Sequence, residues 1–191
     1  MSYALEGEIG DYDTLGNKSR VKAGGAQVMQ TGSGVSHEEE TVGDNTDFSQ
    51  IWFDPDISKT IQSDPTYNEH RNEDFPIESK GGVTFKTIIG KDSPVTLASD
   101  MIMKDIAIEP DRQFHYPLSQ DKTLALVVIS GKGLLFDKQT GSKHPLNKKD
   151  FALIHAQEDG SISVQADSDS PLRVAMIEVP AKVDYPLYRN Q

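Results

Sequence analysis

Short apolar runs separated by turn residues dominate the chain. Gly and Pro recur about every eight to twelve residues, the rhythm of short strands joined by turns. Ten runs predict strands: Tyr3–Ile9, Ala26–Gln30, Ile51–Phe53, Val83–Ile89, Met101–Ile108, Leu124–Ile129, Leu134–Asp137, Phe151–His155, Ser161–Gln165 and Val174–Val179. Many are rich in Val, Ile, Phe and Met, which suit a pleated, half-buried surface. Several alternate with period two, as Ile106-Ala107-Ile108 does at the end of its run. No stretch carries a convincing amphipathic-helix period. The pattern predicts an all-β protein.

Between Pro55 and Lys80 the composition turns polar, with Pro55, Pro65 and Pro76 among few apolar residues. This segment reads as a linker. On either side of it an internal repeat is visible. Leu5-Glu6-Gly7-Glu8 matches Ile129-Ser130-Gly131-Lys132, with Gly7 and Gly131 offset by 124 (131 − 7), as are Asp13 and Asp137. After one inserted residue the offset becomes 125. It pairs Gly16 with Gly141, residues 25–29 with residues 150–154, and Pro55 with Pro180. The expected organisation is a partial barrel over 1–55, a linker over 56–80 and a second barrel over 81–191. About fifty strand-like residues precede Gly131 from Gly82 onward, but only six precede Gly7. The first half is therefore expected to lack its opening strands, as a shortened form would. The open strand edge this implies favours pairing, and a homodimer is the expected partner.

Composition narrows the function classes. The 191 residues carry a net charge of −11, which disfavours nucleic acid or an anionic membrane as partner. The absence of cysteine excludes disulfides, Cys-ligated zinc and thiol chemistry. No segment has the roughly 18 continuous apolar residues of a membrane helix, and the expected location is cytoplasmic. There is no phosphate loop, dinucleotide fingerprint or nucleophile elbow.

Chemistry concentrates at Gly32-Ser33-Gly34-Val35-Ser36-His37-Glu38-Glu39. On a strand, residues two apart face the same way, so His37 and Glu39 would present an imidazole and a carboxylate to one interior. Such a pair suits iron, manganese, nickel or zinc. An acidic, solvated run through Glu40 is the plainer alternative, and two ligands are fewer than metal sites normally use. The repeat sets Ile162 and Val164 opposite them, so the second half is expected to bind no metal there. His155, ending a strand, reads as a packed or rim residue. His70 reads as solvated, and His144 as a turn residue before Pro145. Met29, Trp52 and Phe53 read as core more readily than as pocket lining.

The ordered motifs Tyr3-Ala4-Leu5-Glu6-Gly7-Glu8, Asp13-Thr14-Leu15-Gly16-Asn17, residues 27–39 and Gln50-Ile51-Trp52-Phe53 resemble the pirin family, bicupins of the cupin superfamily. The resemblance implies a double cupin of two β-barrels. It also implies a metal, usually iron, held in the first barrel by three histidines and a glutamate. The last His-x-Glu of that set falls on His37 and Glu39. The family's His-x-His pair would lie before Met1. Some members are similar to quercetin 2,3-dioxygenases, which implies a small aromatic substrate, with Glu39 as catalytic base. Others act as transcriptional cofactors. Two readings follow. One is a pirin-like, metal-dependent dioxygenase whose site is incomplete in this form. The alternative is a metal-free binding or interaction module with a vestigial site.

Overall fold

A computed structural model describes residues 1–138 and 140–187. The protein is all-β, and its strands divide between two compact units. Unit 1 comprises Met1–Phe75, Pro94–Ser99 and the segment from Asp184. Unit 2 comprises Pro76–Ser93 and Asp100–Val183.

Unit 1 contains β1 (Ser2–Asp13), β2 (Lys18–Lys22), β3 (Ala26–Gln30), β4 (His37–Gln50), a short helix α1 (Ile57–Thr60) and β5 (Thr66–His70). They form one curled half-barrel sheet in the order β2-β1-β3-β5, with β4 on β1. One side of β1 is taken by β4 from end to end. The other side is shared by β2, opposite residues 8–12, and β3, opposite residues 2–3. The β1–β4 ladder slips register around Glu6, and such bulges bend a strand. Ala4, Ile9 and Val21 form a small apolar core with Phe48 packed against it.

Unit 2 contains β6 (Ile77–Lys80), β7 (Val83–Ile89), β8 (Ile102–Ile108), β9 (Gln113–Leu118), β10 (Lys122–Ser130), β11 (Lys132–Asp137), β12 (Lys143–Asn147), β13 (Phe151–His155), β14 (Gly160–Ala166) and β15 (Leu172–Pro180). A six-stranded sheet runs β13-β10-β15-β8-β7-β6, and a four-stranded sheet runs β12-β11-β14-β9. Residues of both sheets share one core that includes Ile106, Leu126, Leu135, Leu146, Ile162, Val164 and Met176. Each such side chain contributes about 1.5–3 kcal/mol by leaving water. Among the described residues no helix is long and apolar enough to cross a membrane.

The internal repeat is a structural repeat. Strand β2 coincides with β12 at the offset of 125, and β3 coincides with β13. Register is kept as well. Glu8↔Lys22 through Tyr12↔Lys18 in unit 1 become Lys132↔Asn147 through Phe136↔Lys143 in unit 2. Gly7 and Gly131 both adopt positive φ, +73° and +84°. A Cβ there would meet a backbone carbonyl at 2.3 Å (Asn45) or 1.9 Å (Pro171), so both positions require glycine.

Two expectations differ from the structure. Ile51–Phe53 is not a strand: β4 ends at Gln50, opposite Ser2, and β1 offers no further ladder positions. Ile51 instead exchanges two bonds with Met1: its N–H donates to the Met1 carbonyl at 2.8 Å, and its carbonyl accepts from the N-terminal ammonium at 3.0 Å. Residues 56–80, read as a linker, carry α1, β5, a 3-10 turn and β6. Strand β5 pairs with β3 and β6 pairs with β7, each as the last strand of its sheet. Their polar composition is that of edge strands, which have only one neighbour to pack against.

Candidate metal centre

The site in unit 1 follows from the β1–β4 ladder. The glycines at 32 and 34 turn the chain into β4, whose first residue, His37, lies opposite Asp13, while Glu39 lies opposite Asp11. Alternation puts Asp11, Asp13, His37 and Glu39 on one face of the sheet. Ser19 of β2, the other neighbour of Asp11, shares that face. One ligand atom each from Asp11, His37 and Glu39 falls within 4.8 Å of the others.

The carboxylates differ in what already satisfies them. Asp13 is buried and committed to its turn. It accepts from the Leu15 and Asn17 backbone N–H groups, both at 2.9 Å, and from the Asn17 amide at 2.7 Å. Burial alone would raise its pKa, but these bonds outweigh it and hold the carboxyl below its ordinary value. Glu39 accepts from the Ser2 hydroxyl on one oxygen and from the Gln50 amide on the other. Those donors fix its orientation and leave lone pairs free on both oxygens.

Asp11 is different. It is 6% exposed, and its Oδ2 has no hydrogen-bond partner among the described residues. Burial pushes its carboxyl above the ordinary value; His37 opposes the shift, and Glu39 and Asp13 add to it. A buried, unpaired carboxylate oxygen beside a second carboxylate costs free energy unless a cation or proton neutralises it. The donor set therefore fits a divalent metal: two hard carboxylates and one imidazole suit iron, manganese, nickel or zinc. His37, exposed at the start of β4, completes the triad from the solvent side.

The second copy shows what this face is otherwise for. Asp11, His37 and Glu39 correspond to Leu135, Ile162 and Val164, at 4%, 2% and 0% exposure. The register is the same: Asp13↔His37 and Asp11↔Glu39 become Asp137↔Ile162 and Leu135↔Val164. Ser2 corresponds to Leu126 and Gln27 to Ala152, in or against the unit 2 core. Polar groups in unit 1 thus occupy positions that build an apolar core in unit 2.

Of the residues singled out from the sequence, the structure brings His37 and Glu39 together and adds Asp11. His155 lies in unit 2 on β13, where its Nδ1 is 3.0 Å from the Thr123 hydroxyl. His144 lies on β12, and His70 packs edge-on to Phe75. Asp11 was the missed residue, and the repeat was the signal that could have found it. A cavity of about 310 Å³ in unit 2 is lined by Gln113, His115, Phe136, Lys138, Lys143 and Ser163 among others. Among its described lining residues Asp137 is the one acidic group, and its Oδ2 accepts from the Thr140 hydroxyl at 2.8 Å.

Comparison with known proteins agrees with this architecture. The family model described as Pirin matches residues 1–53. A pirin-like protein of Solanum lycopersicum is 27% identical over 182 residues, covering 93% of this chain and 60% of that protein. A quercetin 2,3-dioxygenase of Escherichia coli is 25% identical over 182 residues, covering 94% of this chain and 71% of that protein. The chain thus spans about 60% of the tomato relative, and 56% of a pirin-like protein of Arabidopsis thaliana. Among solved structures, a quercetin 2,3-dioxygenase from Acinetobacter baumannii superposes with a TM-score of 0.79 at 21% identity, covering 94% of this chain and 63% of that one. A bacterial pirin from Escherichia coli in complex with nickel(II) gives 0.72 at 24% identity, covering 94% and 71%. At these identities the structural likeness establishes the fold. Together with the Pirin match over residues 1–53 and relatives that align along nine-tenths of its length, it makes the chain similar to pirin proteins.

Proposed function

We propose that this chain is a pirin-type metalloprotein that holds one divalent cation between Asp11, His37 and Glu39, and that it belongs to a dioxygenase acting on a small hydroxylated aromatic compound. The observation that carries the metal reading is the buried, unpartnered Asp11 Oδ2 inside that triad. Its counterpart in the second copy is the core residue Leu135. The nickel complex of the Escherichia coli pirin and the quercetin dioxygenases among the relatives support the reading at the level of the family.

Three protein ligands leave coordination positions open for substrate, the arrangement of catalytic rather than structural sites. When bound, the metal supplies Lewis acidity that lowers the pKa of a coordinated hydroxyl. The remaining chemistry falls to the chain. Glu39, held by Ser2 and Gln50, is oriented to take the proton of an aromatic hydroxyl on its carboxylate oxygen. Asp11 and His37 fix the ion from β1 and from the start of β4. The donor set does not select iron over nickel or manganese, and iron is the family-based choice.

Oxygen consumption with quercetin tests the reading. The iron(II)-loaded wild type is expected to take up oxygen, and Glu39→Gln to lose roughly 100-fold or more of the rate, the usual worth of a positioned base. An iron-loaded wild type with no uptake above the blank would refute the dioxygenase assignment and leave a metal-binding scaffold.

A further inference from the structure

Trp52 is the only tryptophan of the chain, and it stands almost wholly in water, at 84% exposure, just beyond the end of β4. Among the described residues, its indole is tied to the candidate metal triad through its polar edge. The Nε1–H donates to Gln50 Oε1 at 3.3 Å, and the Gln50 amide nitrogen donates to the Glu39 carboxylate. Two hydrogen bonds therefore separate the ring from a metal-ligating oxygen, and one amide serves both. An indole offers a broad, rigid face that stacks on planar aromatic rings. Held by its edge, it has that face free.

Resting on the metal-site reading, we propose that Trp52 is the stacking platform for a planar aromatic ligand whose hydroxyl enters the Asp11–His37–Glu39 site, and that Gln50 is the positioning residue that couples platform to carboxylate. The ligand class is a flat, hydroxylated aromatic. The ring lies on the indole and the hydroxyl points toward Glu39. Selectivity follows from geometry: an aliphatic alcohol offers the hydroxyl without the ring, and a bare aromatic hydrocarbon offers the ring without the hydroxyl.

The test uses the nickel(II)-loaded chain, catechol as probe, and the variants Trp52→Ala and Trp52→Phe. Nickel content by elemental analysis and catechol affinity by calorimetry are measured on each. Nickel content should be the same in all three. Catechol should quench the fluorescence of the wild type, bind Trp52→Ala roughly fivefold to tenfold more weakly, and bind Trp52→Phe within about twofold of wild type. Equal catechol affinity in wild type and Trp52→Ala, with nickel content intact, overturns the platform and leaves the metal site standing. A wild type that takes up no nickel overturns both.

Discussion

Asp11 lies directly opposite Glu39 across β1 and β4, as Leu135 lies opposite Val164 across β11 and β14. The backbone ladders are the same and only the side chains differ. A cupin-type barrel wall can therefore be closed with aliphatic side chains or left polar around an ion. Unit 2 does the first, and the proposed metal site in unit 1 would use the second.

That equivalence makes a stability prediction. Replacing Ser2, Asp11 and Glu39 by their counterparts (Ser2→Leu, Asp11→Leu and Glu39→Val together) removes a buried carboxylate, a half-buried carboxylate and a buried hydroxyl. Exchanging buried ionic groups for apolar ones of similar volume often stabilises by about 1–4 kcal/mol. The triple variant should unfold at higher urea concentration than metal-free wild type and should bind no metal. A variant less stable than wild type would show that the polar face is not a cost borne for function.

Glycine is required at positions 7 and 131. Gly7→Ala and Gly131→Ala should each lose about 3 kcal/mol, combining left-handed backbone strain with a Cβ pressed on a carbonyl. Gly16→Ala and Gly141→Ala also sit at positive φ, but with nothing within 4 Å of the added carbon, and should lose only about 1 kcal/mol. Urea denaturation of the four variants checks the contrast, and four equal losses would contradict it.

Tyr67 gives an alkaline signature. Burial pushes its phenol from 10.0 up to about 12; the bond with the Ser19 hydroxyl opposes this, and the charges of Asp11, Glu69 and Asp13 add to it. With the folded value above the unfolded one, the unfolded chain loses its proton first. The contribution is full below pH 10 and is lost as pH rises through 10 toward 12. Stability of the wild type should fall more steeply across that window than stability of Tyr67→Phe. Parallel profiles would show that Tyr67 titrates alike in both states.

The chain's organisation was legible because turn chemistry repeats. Gly7, Gly16, Asp13 and their partners fixed an offset that β2 and β12, and β3 and β13, then obey to the residue. The strands that escaped notice share a physical cause. β2, β5, β6, β9 and β12 are all edge strands, and β4 pairs with β1 alone. An edge strand buries less of itself, so its sequence carries less apolar alternation. His37-x-Glu39 was visible because both candidate ligands sit on one strand. Asp11 was not, because cross-strand neighbours 26 and 28 residues away leave no local spacing (37 − 11 and 39 − 11). Trp52 read as core by residue type, yet it lies past the last rung of the β1–β4 ladder and stands in solvent.

The most direct measurement is metal content per chain by elemental analysis, on wild type, Asp11→Ala and His37→Ala purified identically and then exposed to one equivalent of iron(II) or nickel(II). The account predicts close to one ion per wild-type chain and a loss of at least tenfold in affinity in each variant, since even supporting residues around a metal are worth about 10- to 100-fold. A wild type that retains no metal, or variants that retain as much as wild type, would contradict a metal centre at Asp11, His37 and Glu39.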